Sequence, residues 1–421
     1  MKQTVLLSLV LFWVGALSAQ KPIYFNIITH NEITDPLKYE SSKSDFESIL
    51  PIVKEICDTI IAKKAKYNMQ VESNFIKGVL RFQNAADNPN DILEWANNSE
   101  YIDVDGHNHF SPMSNPYNYS DLAYLLDSCG VNLEHRILGG VAYANIKVGN
   151  RMVIENWTQY AKPKQGYTFK DFFWQADIVW GTAAASHAAD LTYFGVWKPK
   201  GGKSVDEFLT HDPDQTITHI GGGCKQEVSY HLDVRTHKLT MTTQQIIDNI
   251  KQISDNIQSL PSDSNEFYTM NMLLNFRDFT SIPHLADSIA HIIDGIKPLV
   301  EEGKLIWSTL GEKYDRWYAL HQDPKSYFGK DCQDIFVLGT EAGVQDRGIK
   351  IYPNPFYSSF TISNSTAVMA EVRDLMGNLV LEEEINGDTR LNLLEYPRGM
   401  YFVILKSQTG NRVWTGKLLK Q

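Results

Sequence analysis

The stretch Asp103-Val104-Asp105-Gly106-His107-Asn108-His109 brings two carboxylates and two imidazoles into seven residues. In an extended chain, side chains two apart leave on the same face, so Asp105, His107 and His109 can converge on one ion. His30-Asn31-Glu32 repeats the relation with one imidazole and one carboxylate. Imidazole nitrogen and carboxylate oxygen suit zinc or another first-row divalent metal, which polarises a carbonyl and lowers the pKa of bound water. His30, Asp105, His107 and His109 are therefore the expected metal ligands. Glu32 and Glu72 are the expected catalytic carboxylates. Histidines at strand ends also serve as hydrogen-bonded structure, and a strand-end acid is often only solvated or salt-bridged. His135, His187 and His219 are reserves.

These groups need elements that hold them. Ile23 to Thr29 is an apolar run short enough for a buried strand, and Ser44 to Lys64 follows with Phe46, Ile49, Ile52, Val53, Ile56 and Ile60 on one helical stripe. Met69 to Phe75 reads as a second strand, Asp91 to Asn97 as a helix and Tyr101 to Val104 as a third strand. Tyr119 to Cys129 reads as another helix, and Val131 to Ile137 follows it. Such alternation predicts parallel βαβ units. Ala176 to Trp180, Leu191 to Trp197, Ile217 to Ile220, Phe267 to Leu274 and Leu305 to Ser308 supply further short runs, with a helix over Thr243 to Leu260. About seven strands close a barrel, and barrels place functional groups beyond the strand C-terminal ends. The expected fold class is α/β, a (β/α) barrel of seven strands carrying insertions, one of them a hairpin over Ala142 to Trp157.

Composition narrows the partners. The formal charge of −11 without a dense Lys/Arg stripe argues against nucleic acid, whose phosphates require clustered cations. Met1-Lys2-Gln3, an apolar run to Leu17 and the small residues Ala16-Leu17-Ser18-Ala19 have the layout of a secretory signal over residues 1–19, and no later stretch has the length of a membrane span. Cys57, Cys129, Cys224 and Cys332 contain no CxxC pair, and in an oxidising compartment they allow three pairings. The expected organisation is a barrel over residues 20–338, a linker over 339–349 and a small β-sandwich over 350–421.

The last segment has short alternating strands such as Ser359 to Ser363, with turns at Met376-Gly377-Asn378 and Asn386-Gly387-Asp388. Ile351-Tyr352-Pro353-Asn354-Pro355-Phe356 resembles the YPNPF box that opens type A sorting domains of the type IX secretion system of Bacteroidetes. Val372 to Val380, with Asp374 and Gly377, resembles the next block of that family. Leu394 to Tyr401, with Gly399 and Tyr401, resembles the third, and Lys417-Leu418-Leu419-Lys420 the basic terminus. The resemblance implies passage through the periplasm to the outer surface or medium, with the secretion machinery as partner.

The order His30-Asn31-Glu32, then Asp105-Gly106-His107-Asn108-His109, is similar to the polysaccharide deacetylase and related glycoside hydrolase barrel superfamily. That pattern carries paired aspartates and a His-x-x-x-His, where this chain has His-Asn-Glu and His-x-His. The resemblance implies a metal-dependent glycan deacetylase, with zinc a candidate ion. Trp157, Trp174, Trp180 and Trp197 are then either sugar-stacking faces or core residues. Two other functions stay open: a metal-independent glycosidase using Glu32 and Glu72, and a surface glycan-binding protein without chemistry.

Overall fold

The computed structural model describes residues 21–31, 37–83, 91–131, 134–140, 147–148, 151–152, 159–180, 192–202, 204–233, 236–260, 266–320, 332, 335, 350–363, 369–374, 378–406 and 412–421. The expected signal segment, Glu32, Trp157, His187, the linker and Gly377 lie outside the described residues.

The N-terminal part alternates strands and helices in the order β1 (Ile23–His30), α1 (Lys43–Lys63), β2 (Tyr67–Val71), α2 (Ser73–Phe82), α3 (Ile92–Asn97), β3 (Ile102–His107), α4 (Tyr119–Asp127) and β4 (Ile137–Gly139). It continues through β5 (Ile178–Val179), β6 (Val196–Trp197), α5 (Val205–Leu209), β7 (Thr218–Ile220), α6 (Thr243–Ser259), β8 (Tyr268–Asn275), α7 (Leu285–Glu301), β9 (Leu305–Trp307) and α8 (Leu310–Leu320). Eight strands pair in the order β6-β7-β5-β4-β3-β2-β1-β8, and β9 adds to β1 as a ninth. All pairs are parallel except β6 with β7. The sheet curls until its ends nearly meet. The residues after β7 bridge the seam, with Asn271 N–H donating to Gly222 O (3.2 Å), Thr269 Oγ1 to Gly221 O (2.7 Å) and Tyr230 N–H to Leu273 O (3.0 Å).

Strand alternation sorts the residues into two layers. Ile23, Phe25, Ile27, Tyr67, Met69, Val71, Ile102, Val104, Met270 and Met272 pack outward with the apolar stripes of α1, α6 and α7. Tyr24, Ile28, Ile137, Ile178, Trp180, Ile220, Phe267 and Leu273 cluster inside, together with Leu310 and Trp317 of α8. Helix α8 therefore plugs the end at which β1 and β8 begin.

The elements differ from expectation where local chemistry competes. The second strand stops at Val71 rather than running to Phe75, because Phe75, Ile76 and Val79 recur at helical spacing and bury the inner face of α2. Glu72 thus occupies the N-cap of α2 and not a strand. Helices α7 and α8, absent from the sequence reading, bury apolar stripes headed by Ile289, Ile292 and Ile296 in α7 and by Leu310 and Trp317 in α8. Of the hairpin expected over Ala142 to Trp157, Lys147–Val148 pairs antiparallel with Arg151–Met152. Cys224 is bonded to Cys332, while Cys57 and Cys129 are buried thiols. Among the described residues no helix is long and apolar enough to cross a membrane.

The C-terminal segment is all β. Strands β10 (Lys350–Tyr352), β11 (Ser359–Ser363) and β14 (Thr389–Asn392) form one antiparallel sheet. The second is ordered β13-β12-β15-β16, from Leu379–Glu384, Met369–Asp374, Gly399–Lys406 and Arg412–Lys420. Phe356, Phe360, Ile362, Val372, Leu391, Val403 and Leu405 from both sheets share one core.

Candidate active site

Inward-facing polar residues concentrate where the strands end. Asn275, His30, Gln70 and Asp105 are successive register partners across β8, β1, β2 and β3, forming one row inside the barrel. His107 lies one inward position beyond Asp105 and is fully buried, whereas His109, past the strand end, is exposed. Their Nε2 atoms are 3.1 Å apart. The His30 ring stacks on His107 with centroids 4.8 Å apart. Burial, with His30 and His109 beside it, holds the His107 pKa well below the ordinary imidazole range. His107 is therefore neutral, the form that binds a metal or takes a proton.

The two expected acids near this pair do different things. Glu72 is buried and its Oε1 accepts the His109 backbone N–H at 2.7 Å, while its own N–H donates to Asn31 Oδ1 at 3.2 Å. It fixes the segment that carries His109. Asp105 turns below the histidines, where Asn68 Nδ2 donates to its Oδ2 at 2.8 Å. Burial, followed by the charge of Asp103, pushes the Asp105 pKa up to about 8 against the pull of Asn68 and Gln70.

A polar column beneath the mouth was not anticipated. Lys313 of α8 is wholly buried, and its Nζ donates to Asn26 Oδ1 (2.6 Å) and Met270 O (3.0 Å). Burial drives its pKa well below the usual lysine value. Asn26, Asn68 and Gln70 are the interruptions in otherwise apolar strands, and tracing which face they occupy would have revealed the column. At the end of β4, a Cβ on Gly139 would lie 2.0 Å from Gln70 Oε1 and 2.6 Å from its Nε2, so the glycine makes room for that amide. Gly139→Ala is expected to destabilise the protein by roughly 1–3 kcal/mol through overpacking; chemical denaturation checks it, and an unchanged midpoint would contradict the packing.

The tryptophans are not equivalent. Trp180 is buried inside the barrel, and its Nε1 has no hydrogen-bond partner among the described residues. Trp197 is buried among Phe208 and His219, and its Nε1 donates to Phe208 O at 2.8 Å, so it presents no open face. Half-buried Trp174, on a ribbon of Lys164–Gln165 and Phe173–Trp174, lines a cavity of about 220 Å³ with Leu126, His135 and Arg136. That cavity lies against α4 and is also lined by Asp105 and Gly106, while His107 and His109 do not line it. His219 is driven down to about 3 by burial, then by Lys225. His135 pairs with Asp315 at 2.9 Å.

The metal expectation meets a mixed donor set. Two nitrogens bound to one tetrahedral ion at about 2.0–2.1 Å lie roughly 3.3 Å apart, and the His107–His109 separation of 3.1 Å is close to that. Among the described residues, no third His, Cys, Asp or Glu atom joins them within 4.8 Å; the one such trio, Cys224, Glu227 and Cys332, has both sulfurs in a disulfide. His30 and Asp105 lie in the same mouth without closing the set.

The C-terminal motifs converge on the end of the chain. Asn354 Oδ1 accepts the Leu419 N–H (3.0 Å), Phe356 N–H donates to Leu419 O (2.8 Å), and Gln421 N–H donates to Phe356 O (2.8 Å). Tyr352-Pro353 and Asn354-Pro355 are both cis. Buried Lys420 donates to the carbonyls of Leu393 (2.7 Å), Leu394 (3.0 Å) and Tyr396. Tyr401 Oη donates to Pro397 O at 2.5 Å, and Asp374 accepts the backbone and side-chain N–H groups of Asn378, both at 2.9 Å. Gly399 has φ 152°, which side-chain-bearing residues rarely adopt. The four sequence blocks are thus parts of one packed unit. Residues 350–421 match the secretion system C-terminal sorting domain.

The protein is accordingly exported by the type IX route, to the outer surface or into the medium. Lys420→Met is expected to destabilise this domain by about 1–3 kcal/mol, since it strands buried carbonyls; denaturation of the full chain, followed at the domain, checks the loss. A stretch of the chain is 34% identical over 114 residues to an endo-acting ulvan lyase of Formosa agariphila, covering 26% of this chain and 22% of that protein. The chain therefore spans about a fifth of the length of the curated relative it matches. A crystal structure from Parabacteroides distasonis, provisionally described as a glycoside hydrolase/deacetylase, aligns over 96% of this chain and 87% of that one. Its sequence identity is 8% and the TM-score 0.40, a likeness too loose to carry function.

Proposed function

We propose that the barrel is a secreted carbohydrate-active hydrolase, with removal of acyl groups from a glycan as the leading reaction and His107 and His109 as its reactive pair. The observation that carries the reading is the close approach of their Nε2 atoms, one on a buried neutral ring and one on an exposed ring, at the mouth of the barrel. Exposed His109 meets the substrate, and His107 behind it supplies an uncharged nitrogen. Glu72 keeps the His109 segment in place. A divalent metal held by the two histidines, with His30 or Asp105 completing the set, would polarise the acyl carbonyl and acidify water. Glu32 is then the proposed base for that water.

A second reading follows from the missing third ligand among the described residues. In it Glu32 and Glu72 act as the carboxylate pair of a metal-independent glycosidase. Incubating the purified full chain with acetylated and deacetylated polysaccharides distinguishes the two. Acetate release without new reducing ends is expected; new reducing ends without acetate would replace the first reading by the second, and neither product would overturn both.

A further inference from the structure

Two exposed rings at the barrel mouth can take the stacking role expected of the tryptophans, of which Trp180 and Trp197 are buried. Phe110 directly follows His109, so their Cα atoms are about 3.8 Å apart. The Phe110 ring meets that of Tyr167 in a T-shaped contact with centroids 5.2 Å apart. Both rings are open to water, with relative exposures of 37% and 47%. Lys164 Nζ stands 5.7 Å from the Phe110 centroid.

The backbone beneath these rings is braced by buried polar groups. Ser111 and Asn115 exchange backbone hydrogen bonds of 3.0 and 2.8 Å, which close a turn next to Phe110. Asn115 Nδ2 donates to His109 O at 3.1 Å, and its Oδ1 accepts Ser73 Oγ–H of α2 at 3.0 Å. The Tyr167 loop folds around buried Asp121 of α4: Oδ2 accepts the Tyr167 N–H (2.8 Å), and Oδ1 accepts those of Thr168 (3.0 Å) and Phe169 (2.7 Å). A Cβ on Gly166 would lie 2.5 Å from Asp121 Oδ1, so the chain closes tightly over the carboxylate. Thr168 Oγ1 donates to Pro116 O at 2.6 Å and Asn118 Nδ2 to Gln165 O at 2.9 Å, which ties the two loops together. Folding gains little from rings left in water. A ligand does gain, because a surface that is already ordered loses no affinity to ordering.

We infer that Phe110 and Tyr167 form a stacking subsite for a sugar ring of the glycan, next to the ring that reaches His109, with Lys164 as a hydrogen-bond donor at its edge. The choice of a glycan as occupant rests on the function proposed above: a pyranose offers an apolar C–H face for an aromatic ring to cover and hydroxyls at its rim for a donor.

Affinity electrophoresis of the full chain, in native gels cast with acetylated xylan, acetylated mannan, pectin or alginate, tests the subsite independently of activity. The parent is expected to be retarded by at least one of these glycans. Phe110→Ala and Tyr167→Ala are each expected to raise the apparent Kd for it roughly tenfold, with urea midpoints unchanged. Tyr167→Phe keeps the ring and is expected to bind as the parent does, as is Tyr318→Ala on α8 at the opposite end of the barrel. A parent retarded by none of the glycans, or alanine variants whose Kd stays within about twofold of the parent, would overturn the inference. Binding that depends on both rings in a chain that releases neither acetate nor reducing ends would leave the subsite standing and remove the hydrolase reading. Acetate release with binding unchanged in both alanine variants would do the reverse.

Discussion

Replacing His109 by alanine is expected to lower acyl release by roughly 10²- to 10⁴-fold, the range for losing a positioned proton-transfer group, while changing stability by less than about 0.5 kcal/mol. The separation of the two effects comes from position. His109 is exposed past the end of β3, so its imidazole supports little packing. The segment around it is held by its backbone N–H to Glu72 Oε1 and by its carbonyl, which accepts Asn115 Nδ2 at 3.1 Å; both survive the substitution. His107→Ala should match the loss in rate but also destabilise, because that ring is wholly buried and stacked on His30. Initial rates of acetate release set beside urea midpoints check both. A His109→Ala rate within threefold of the parent would remove His109 from the chemistry.

The Cys224→Ser/Cys332→Ser variant is expected to lose about 3–5 kcal/mol of stability. The bond closes a loop of 108 residues, for which unfolded-chain entropy predicts about 4.7 kcal/mol. It also sits where the barrel closes. Cys224 directly follows the Gly221–Gly223 turn that hydrogen-bonds β8, and Cys332 N–H donates to Thr192 O at 2.9 Å. Opening the bond frees both sides of the seam. The remaining thiols give a contrast: burial lifts Cys57 and Cys129 to about 12, so they should stay unreactive to thiol reagents in the folded protein. Denaturant titration measures the loss, and one below about 1 kcal/mol would show that the seam is held without the bond.

How much could be read from the sequence depended on how long each pattern ran. β1 and β8, eight residues each, announce themselves as apolar runs, α1 and α6 by helical period, and the C-terminal segment by four ordered blocks. By contrast, β4 to β7 contribute only two or three residues apiece, too few to show alternation, so the barrel's second half was recognisable only as scattered apolar runs. Reading Met69 to Phe75 as one strand places Glu72 inside it, although Glu72, Ser73 and Asn74 already interrupt the apolar pattern and Phe75, Ile76 and Val79 carry helical spacing. The i, i+2 argument placed Asp105 and His107 on one face, as found. It could not show that Asn68 on the neighbouring strand would hold Asp105 below the histidines. Lys313 was invisible for another reason: its role depends on α8 entering the barrel, a tertiary event with no local signature.

The measurement that bears most directly on the proposed site is the metal content of the purified full chain by elemental mass spectrometry, beside the His107→Ala/His109→Ala variant. Close to one zinc or other first-row divalent ion per chain, lost in the variant, is the predicted result. A parent without such an ion, or a variant that keeps it, would contradict a metal held by this histidine pair.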